Sequence, residues 1–568
     1  MRPRLTAPRA PTDLIILAVL ALWVLTVGMG LRDPWPADEP RFALIGKQIV
    51  DSGQWLIPAR GPELYAEKPP VYLWLQAAAY ALTGSTRSAF LLPSLLAALG
   101  TLVLVWDLGR RCWGRRAAFW TTLALLFSVQ FALQGRSAQI DAVLCFFTTL
   151  GLYGLLRHLW LGPAWRWYAL AGVATGLGVI TKGTGFLPWL LLLPYALARR
   201  WQWRGLPEMG RDWRWLLGPL LFLATIAAWA LPILLLANQP GHEAVAAYRD
   251  DLLLRQTLTR YADPWHHHKP FWYYLAQVVP LLWLPLSFLA VLALRPWWRR
   301  IRRGDARVFM LLGWVALVLL FFSASPGKRE VYILPALPAL ALAFAPLLRP
   351  LLARQAARRT LLVLTGFLVA IMVGGSLWAL LGTPRFAERI ALEQGVRPWY
   401  WFGAVGLIGA AAMLLWHRRA HLAWGALMLA LWTGYGLFGY PAMNDARSGR
   451  GLLARAESAM PADATLALAN VPEQMLLQAP ETAFAFGFKR PAHEQLTAAF
   501  DWLRAASTHW LLTHGEPLDA CLDGDRGIDL GWSNRRHWYL LQAHAIVTDC
   551  VPIDRRQTLD PAPDETDD

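Results

Sequence analysis

The sequence predicts an α-helical polytopic membrane protein that ends in a small soluble α/β domain, and three observations carry this. Of its 568 residues 56% are hydrophobic and only 16% charged, a balance foreign to soluble globular chains. Apolar runs close to the ~20 residues that cross a bilayer recur from Leu14 to Phe438. After Tyr440 those runs shorten and the composition turns polar. This divides the chain into a membrane portion, residues 1–440, and a soluble domain, residues 441–568, whose acidic end from Asp560 reads as disordered.

About thirteen transmembrane helices follow from the apolar runs. They are Leu14 to Leu31, Phe90 to Leu108, Ala117 to Leu133, Ile140 to Leu156, Trp165 to Thr181, Gly183 to Leu197 and Trp215 to Leu236. The series continues with Phe271 to Leu294, Val308 to Ser323, Val331 to Leu348, Leu361 to Leu381, Trp399 to Trp416 and Leu422 to Phe438. The first is read as a retained helix, because no small-residue cleavage site follows it. Pro69 to Leu82 is short and begins with two prolines, so it is expected to lie along the interface. Interfacial helices are thus expected in the first and fourth outer loops.

The net charge of +16 does not point to nucleic acid. Its arginines sit in short connections between apolar runs, where they report orientation. With Arg2, Arg4 and Arg9 cytoplasmic, every second connection is arginine-rich, as at Arg110 to Arg116, Arg199 to Arg204 and Arg295 to Arg303. The loops at Asp38 and Glu67, the connection Asn238 to Pro270 and the C-terminal domain then lie on the far side, which is periplasmic if the membrane is a bacterial inner membrane. There Cys521 and Cys550 are expected to pair, while Cys112 is cytoplasmic and Cys145 lies within a span. In the C-terminal domain, Ala464 to Ala469 and Trp510 to Thr513 read as strands and Pro491 to Ala506 as a helix. No nucleotide-binding glycine fingerprint or nucleophile elbow is found, so no nucleotide cofactor is expected.

Two polar motifs follow the first apolar run. In Trp35-Pro-Ala-Asp-Glu-Pro-Arg-Phe42, Pro40 suits a first helical turn, so Arg41 to Val50 is expected to form a short helix with Phe42, Ile45 and Ile49 on its apolar, membrane-lying face. Asp38 at its N-terminal end would be ionised, as a general base or a stabiliser of positive charge on a sugar ring. The alternative is a plain N-cap. In Tyr65-Ala-Glu-Lys-Pro-Pro-Val71, Lys68 is a point charge suited to a phosphate, or a snorkelling interfacial lysine. The fourth outer loop adds Arg255, Arg260 and His266-His267-His268-Lys269, and its histidines could join Glu67 at a metal, although adjacent histidines cannot all face one ion.

Ionisable groups also mark the ends of runs: Arg136 with Asp141, Lys182, and Lys328 with Tyr332. Arg136 and Asp141 could be a mutual ion pair, Lys182 could snorkel, and Lys328 and Tyr332 are spaced to share a helical face.

Taken in order, Asp-Glu-Pro-Arg-Phe (38–42), Ser-Gly-Gln-Trp (52–55), Glu-Lys-Pro-Pro (67–70), Lys-Gly (182–183), Lys-Pro-Phe-Trp-Tyr-Tyr (269–274) and Ser-Pro-Gly-Lys-Arg-Glu-Val-Tyr-Ile-Leu-Pro (325–335) resemble the aminoarabinose transferase branch of the C-type integral-membrane glycosyltransferases. Protein O-mannosyltransferases are broader relatives. The resemblance spans nearly the whole membrane portion. It implies transfer of a sugar from a polyprenyl phosphate carrier to an acceptor outside the cytoplasm, in this branch a lipid A phosphate. It also implies Asp38 at the catalytic centre, Lys68, Arg260 and Tyr332 on the carrier phosphate, and a divalent, zinc-like metal held by Glu67 and one histidine of the triplet, His268 being slightly preferred. Arg41, Arg136, Asp141, Lys182 and Lys328 would support them. Tyr261 and Thr184 depart from the phenylalanine and proline expected at those positions. An inverting glycosyl transfer is therefore the expected reaction. The competing class is a flippase of lipid-linked sugars, which would carry its ionisable groups near the bilayer midplane in repeated halves, a pattern absent from this sequence.

Overall fold

The computed structural model describes residues 10–252, 268–515, 521, 526–534 and 536–547. Among them six helices are long and apolar enough to cross a membrane: Thr86–Trp113, Ile140–Leu161, Trp213–Ala237, Ala306–Ala324, Gln355–Leu381 and His417–Ser448. Counting the bent pairs Arg115–Leu126 with Val129–Gly135 and Tyr274–Leu282 with Leu286–Arg302 as one span each gives eight, and Thr12–Thr26 and Trp399–Leu415 are shorter apolar helices. Full-length helices are fewer than the apolar runs because some runs fold in pieces. The run from Gly183 divides into Leu187–Leu191 and Leu192–Arg200. The run from Val331 divides into Glu330–Ile333 and Ala336–Phe344, with Pro335 at the break, where a proline removes a helical donor.

Close approach of helices depends on glycine. A Cβ on Gly154 would stand 2.3 Å from the Trp167 carbonyl oxygen, and one on Gly172 would stand 2.3 Å from that of Gly218, so these helices touch backbone to backbone. Beside them, Phe42, Ile45 and Ile49 are buried against Tyr65, Tyr72, Leu73, Ile140 and Val143. The helix that carries them runs Glu39–Ser52 and packs on Val71–Thr83. Its apolar stripe is thus covered by protein rather than resting on lipid, a correction to the sequence reading: the stripe identifies a buried face, and periodicity alone does not say what buries it.

In the C-terminal part, five strands form one sheet in the order β4-β3-β5-β7-β6. They are β3 (Thr465–Leu468), β4 (Phe484–Ala485), β5 (His509–His514), β6 (Ile528–Ser533) and β7 (Arg536–Leu541), while β1 (Ala59–Arg60) and β2 (Glu63–Leu64) make a small hairpin between the helices Glu39–Ser52 and Val71–Thr83. β4, β3 and β5 are parallel, and β7 and β6 antiparallel. Alternate residues serve opposite faces: Leu466, Leu468, Leu512 and Leu540 enter one apolar cluster, and Ala467, Leu511 and Leu541 the other. The helix Ala492–Ala505 covers the second face. Cys521 is disulfide-bonded, Cys112 and Cys145 are free, and Cys550 lies outside the described residues.

Candidate active site

Pro40 starts the helix Glu39–Ser52, and Asp38 occupies the N-cap position without making a capping bond. Its carboxylate turns elsewhere, which removes the plain N-cap reading. Asp38 Oδ2 accepts hydrogen bonds from both terminal nitrogens of Arg329 at 3.3 Å, and the Arg41 guanidinium is 3.9 Å away. Burial works to raise the pKa of this carboxyl, but the Arg329, Arg41 and Lys182 charges outweigh it and hold the pKa below the usual carboxylate value. Asp38 is therefore ionised at neutral pH. Its neighbour Glu39 is structural: buried, it pairs with Arg32 (Nη2 to Oε1 2.8 Å) and accepts the backbone N–H groups of Trp35 and Ala138 at 2.9 Å.

Next to Asp38 stands a closed ring of alternating charge. Arg41 reaches Glu473 (2.7 Å) and Glu67 (3.6 Å), and Arg60, presented by the β1–β2 hairpin, reaches Glu473 (3.2 Å) and Glu67 (3.5 Å). A second group is formed by Lys182, which donates to both Asp141 oxygens (2.6 and 2.7 Å) and lies 4.5 Å above the Tyr332 ring. The two groups are coupled, since Lys182 acts on Asp38 and Asp141 acts on Arg329.

Three sequence expectations are corrected here. Asp141 pairs with Lys182, so neither the Arg136–Asp141 pair nor a snorkelling Lys182 is present. Arg136 donates instead to the Val24 and Val27 carbonyls (the latter at 2.7 Å) at the C-terminal end of the first helix, where a cation complements the dipole. Lys328 does not share a helical face with Tyr332, because the turn Glu330–Ile333 begins after it; its ammonium staples the carbonyls of Ser325 (2.5 Å) and Lys269 (2.9 Å). Lys68 is half-buried just before the helix Val71–Thr83. Arg255, Arg260, Tyr261, His266 and His267 lie outside the described residues.

Arg329, Arg60 and Glu473 were not singled out from the sequence. Arg329 sits inside the Ser325–Pro335 motif beside Lys328, and choosing between adjacent cations requires the loop's path. Glu473 is 432 residues from Arg41, with no local signal.

For a metal, the described residues do not form a ligand set. No three His, Cys, Asp or Glu side chains converge among them, His268 is exposed in a bridge to Gly327, and Glu67 faces two guanidinium groups that oppose a further cation.

Ionised groups are thus gathered at the helix ends and connecting loops of a helical membrane fold. Residues 67–231 match the model of the dolichyl-phosphate-mannose-protein mannosyltransferase family. Over 435 residues the chain is 31% identical to the undecaprenyl phosphate-alpha-4-amino-4-deoxy-L-arabinose arabinosyl transferase of Edwardsiella ictaluri, covering 73% of this chain and 74% of that one. The Pseudomonas aeruginosa enzyme of the same name is 31% identical over 439 residues, 75% of each chain. The chain belongs to this arabinosyl transferase family. Its fold is that of ArnT from Cupriavidus metallidurans, solved bound to undecaprenyl phosphate, with a TM-score of 0.71 at 20% identity over 94% of this chain and 98% of that one.

Proposed function

We propose that this protein moves 4-amino-4-deoxy-L-arabinose from undecaprenyl phosphate to a lipid A phosphate on the periplasmic side of a bacterial inner membrane, with inversion at the anomeric carbon. The observation that carries the reading is the ionised Asp38 between Arg329 and Arg41, in a family whose named members use this donor. The arginine alternation supports a cytoplasmic N-terminus and a periplasmic C-terminal unit.

In the transfer, an acceptor phosphate oxygen bonds to the anomeric carbon as that carbon's bond to the carrier oxygen breaks, and the electron pair leaves with the carrier phosphate. Lys68, Arg260 and Tyr332 receive this growing negative charge by charge-assisted hydrogen bonds, and Lys182, seated over the Tyr332 ring, adds to the positive field there. An acceptor phosphate is already ionised at neutral pH and needs no base. Asp38 therefore steadies the positive charge that develops on the sugar ring.

The test is reconstitution with the lipid-linked sugar and lipid A, read by mass spectrometry. The expected product is lipid A heavier by one aminoarabinose, with Asp38→Asn keeping carrier binding and losing most turnover. Unmodified lipid A would overturn the activity, and near-normal transfer by Asp38→Asn would remove Asp38 from the mechanism.

A further inference from the structure

The C-terminal unit meets the membrane portion with one particular edge. β3 ends at Leu468 and is followed by the helix Glu473–Gln478, and β4 ends at Ala485 and is followed by Phe488 and Lys489. All three of Glu473, Phe488 and Lys489 touch the first outer loop or the adjoining connection. Glu473 joins Arg41 and Arg60, the Arg60 guanidinium lies 5.4 Å from the Phe488 ring centre, and the Lys489 N–H donates to Glu63 at 3.0 Å while its ammonium stands 3.7 Å from Asp251. Open parallel sheets bind ligands beyond the carboxyl ends of their strands, where the strand order reverses. Here β3 is flanked by the later strands β4 and β5, and its carboxyl end is turned onto the loop that carries Arg60.

We propose that Glu473 is a positioning residue of the active site, making the C-terminal unit a working part of the transferase. The inference rests on the function proposed above. Arg41 can turn toward three carboxylates, and its contact with Glu473 at 2.7 Å is much shorter than those with Glu67 at 3.6 Å and Asp38 at 3.9 Å. Glu473 thus decides where the Arg41 fork sits. With Glu473 charged, the ring of two arginines and two glutamates is neutral. Without that charge the ring carries one excess positive charge, and Arg41 closes on Asp38, tying up the carboxylate that should face the sugar. Glu473 is itself nearly buried, at 7% exposure, so its contacts are with the protein rather than with a reactant.

Three full-length variants test this in the reconstituted assay. Glu473→Gln keeps shape and removes the charge, Glu473→Asp keeps the charge, and Lys489→Ala breaks another contact of the same interface outside the ring. Glu473→Gln should lower kcat by about 10- to 100-fold, the scale of a reacting group displaced by an ångström, with the donor KM little changed. Glu473→Asp should recover part of the rate, and Lys489→Ala should match the wild type. A Glu473→Gln enzyme with wild-type kcat overturns the inference, and so does a Lys489→Ala enzyme impaired to the same degree, which would reduce Glu473 to docking. Hydrogen exchange needs no turnover: the first turn of Glu39–Ser52 should exchange faster in Glu473→Gln and not in Lys489→Ala, and equal exchange in both overturns the proposal. A wild-type protein without transfer would count against the function proposed above, whereas an active wild type with an unimpaired Glu473→Gln counts against this inference alone.

Discussion

Arg329→Ala removes the two hydrogen bonds that Asp38 Oδ2 accepts from the guanidinium and exposes what they do. Both donor distances to Asp38 are 3.3 Å, longer than a strong charged hydrogen bond, so the loss belongs at the low end of the range for such bonds, about 1.5 kcal/mol or roughly tenfold in kcat/KM. The pH dependence gives the sharper readout. Burial pushes the Asp38 carboxyl up, and Arg329 is the largest influence holding it down. A carboxylate with a depressed pKa stays ionised until pH falls through that lowered value. Without Arg329 the value rises and the charged form is lost earlier on acidification. The acid limb of the kcat/KM profile, measured with donor and lipid A in a fixed detergent, should therefore move to higher pH, while the neutral rate falls by the tenfold above. An acid limb that stays in place, accompanied by loss of carrier binding, would refute the reasoning: Arg329 would then serve the carrier phosphate and not Asp38.

Further expectations concern the carrier, the framework and the C-terminal unit. Lys68→Ala should weaken binding of the lipid-linked sugar by about 1 to 3 kcal/mol, Lys68→Arg should restore only part of it, and Lys68→Ala with Arg260→Ala should depart from the sum of the single effects; strict additivity in carrier binding would place the two on separate sites. Glu39→Ala leaves Arg32 buried without its partner and should cost about 3 to 5 kcal/mol of stability, seen as a lowered unfolding midpoint, and an unchanged midpoint would contradict the pairing. Cys521 and Cys550 should resist alkylation until the protein is reduced, and free thiols at both positions in unreduced protein would disprove the bridge.

Chemistry was more legible than geometry in this sequence. Asp38 declared itself through Pro40, because a proline-started helix fixes where the preceding acidic residue must stand. The strands at Thr465 and His509 and the helix at Ala492 were visible because their apolar residues keep one period throughout. The β6–β7 hairpin escaped, since a register shift between Asp529 and Gly531, with Gly531 at φ +77°, breaks the alternation on which strand reading depends. Span ends were hardest. Lys182, Arg136 and Asp141 all looked like interfacial charges, and only the packing of their helices decides that Lys182 meets Asp141 while Arg136 closes the first helix. Glu473 had no local signature because its partners lie at the other end of the chain.

Asp38 and Glu39 are adjacent and do opposite things, one facing Arg329 and the other locked to Arg32. A helix turns by about 100° per residue, so the difference between the two is a matter of phase. The segment from Arg32 to Asp38 is not helical, and both Arg32 and Trp35 within it bind Glu39, so one residue added or removed there would pull these partners away from the anchor. Surface loops ordinarily tolerate changes of length. Natural variants of this chain should nonetheless keep the number of residues between Arg32 and Glu39 fixed, because Arg32 and Trp35 both meet the one Glu39 carboxylate.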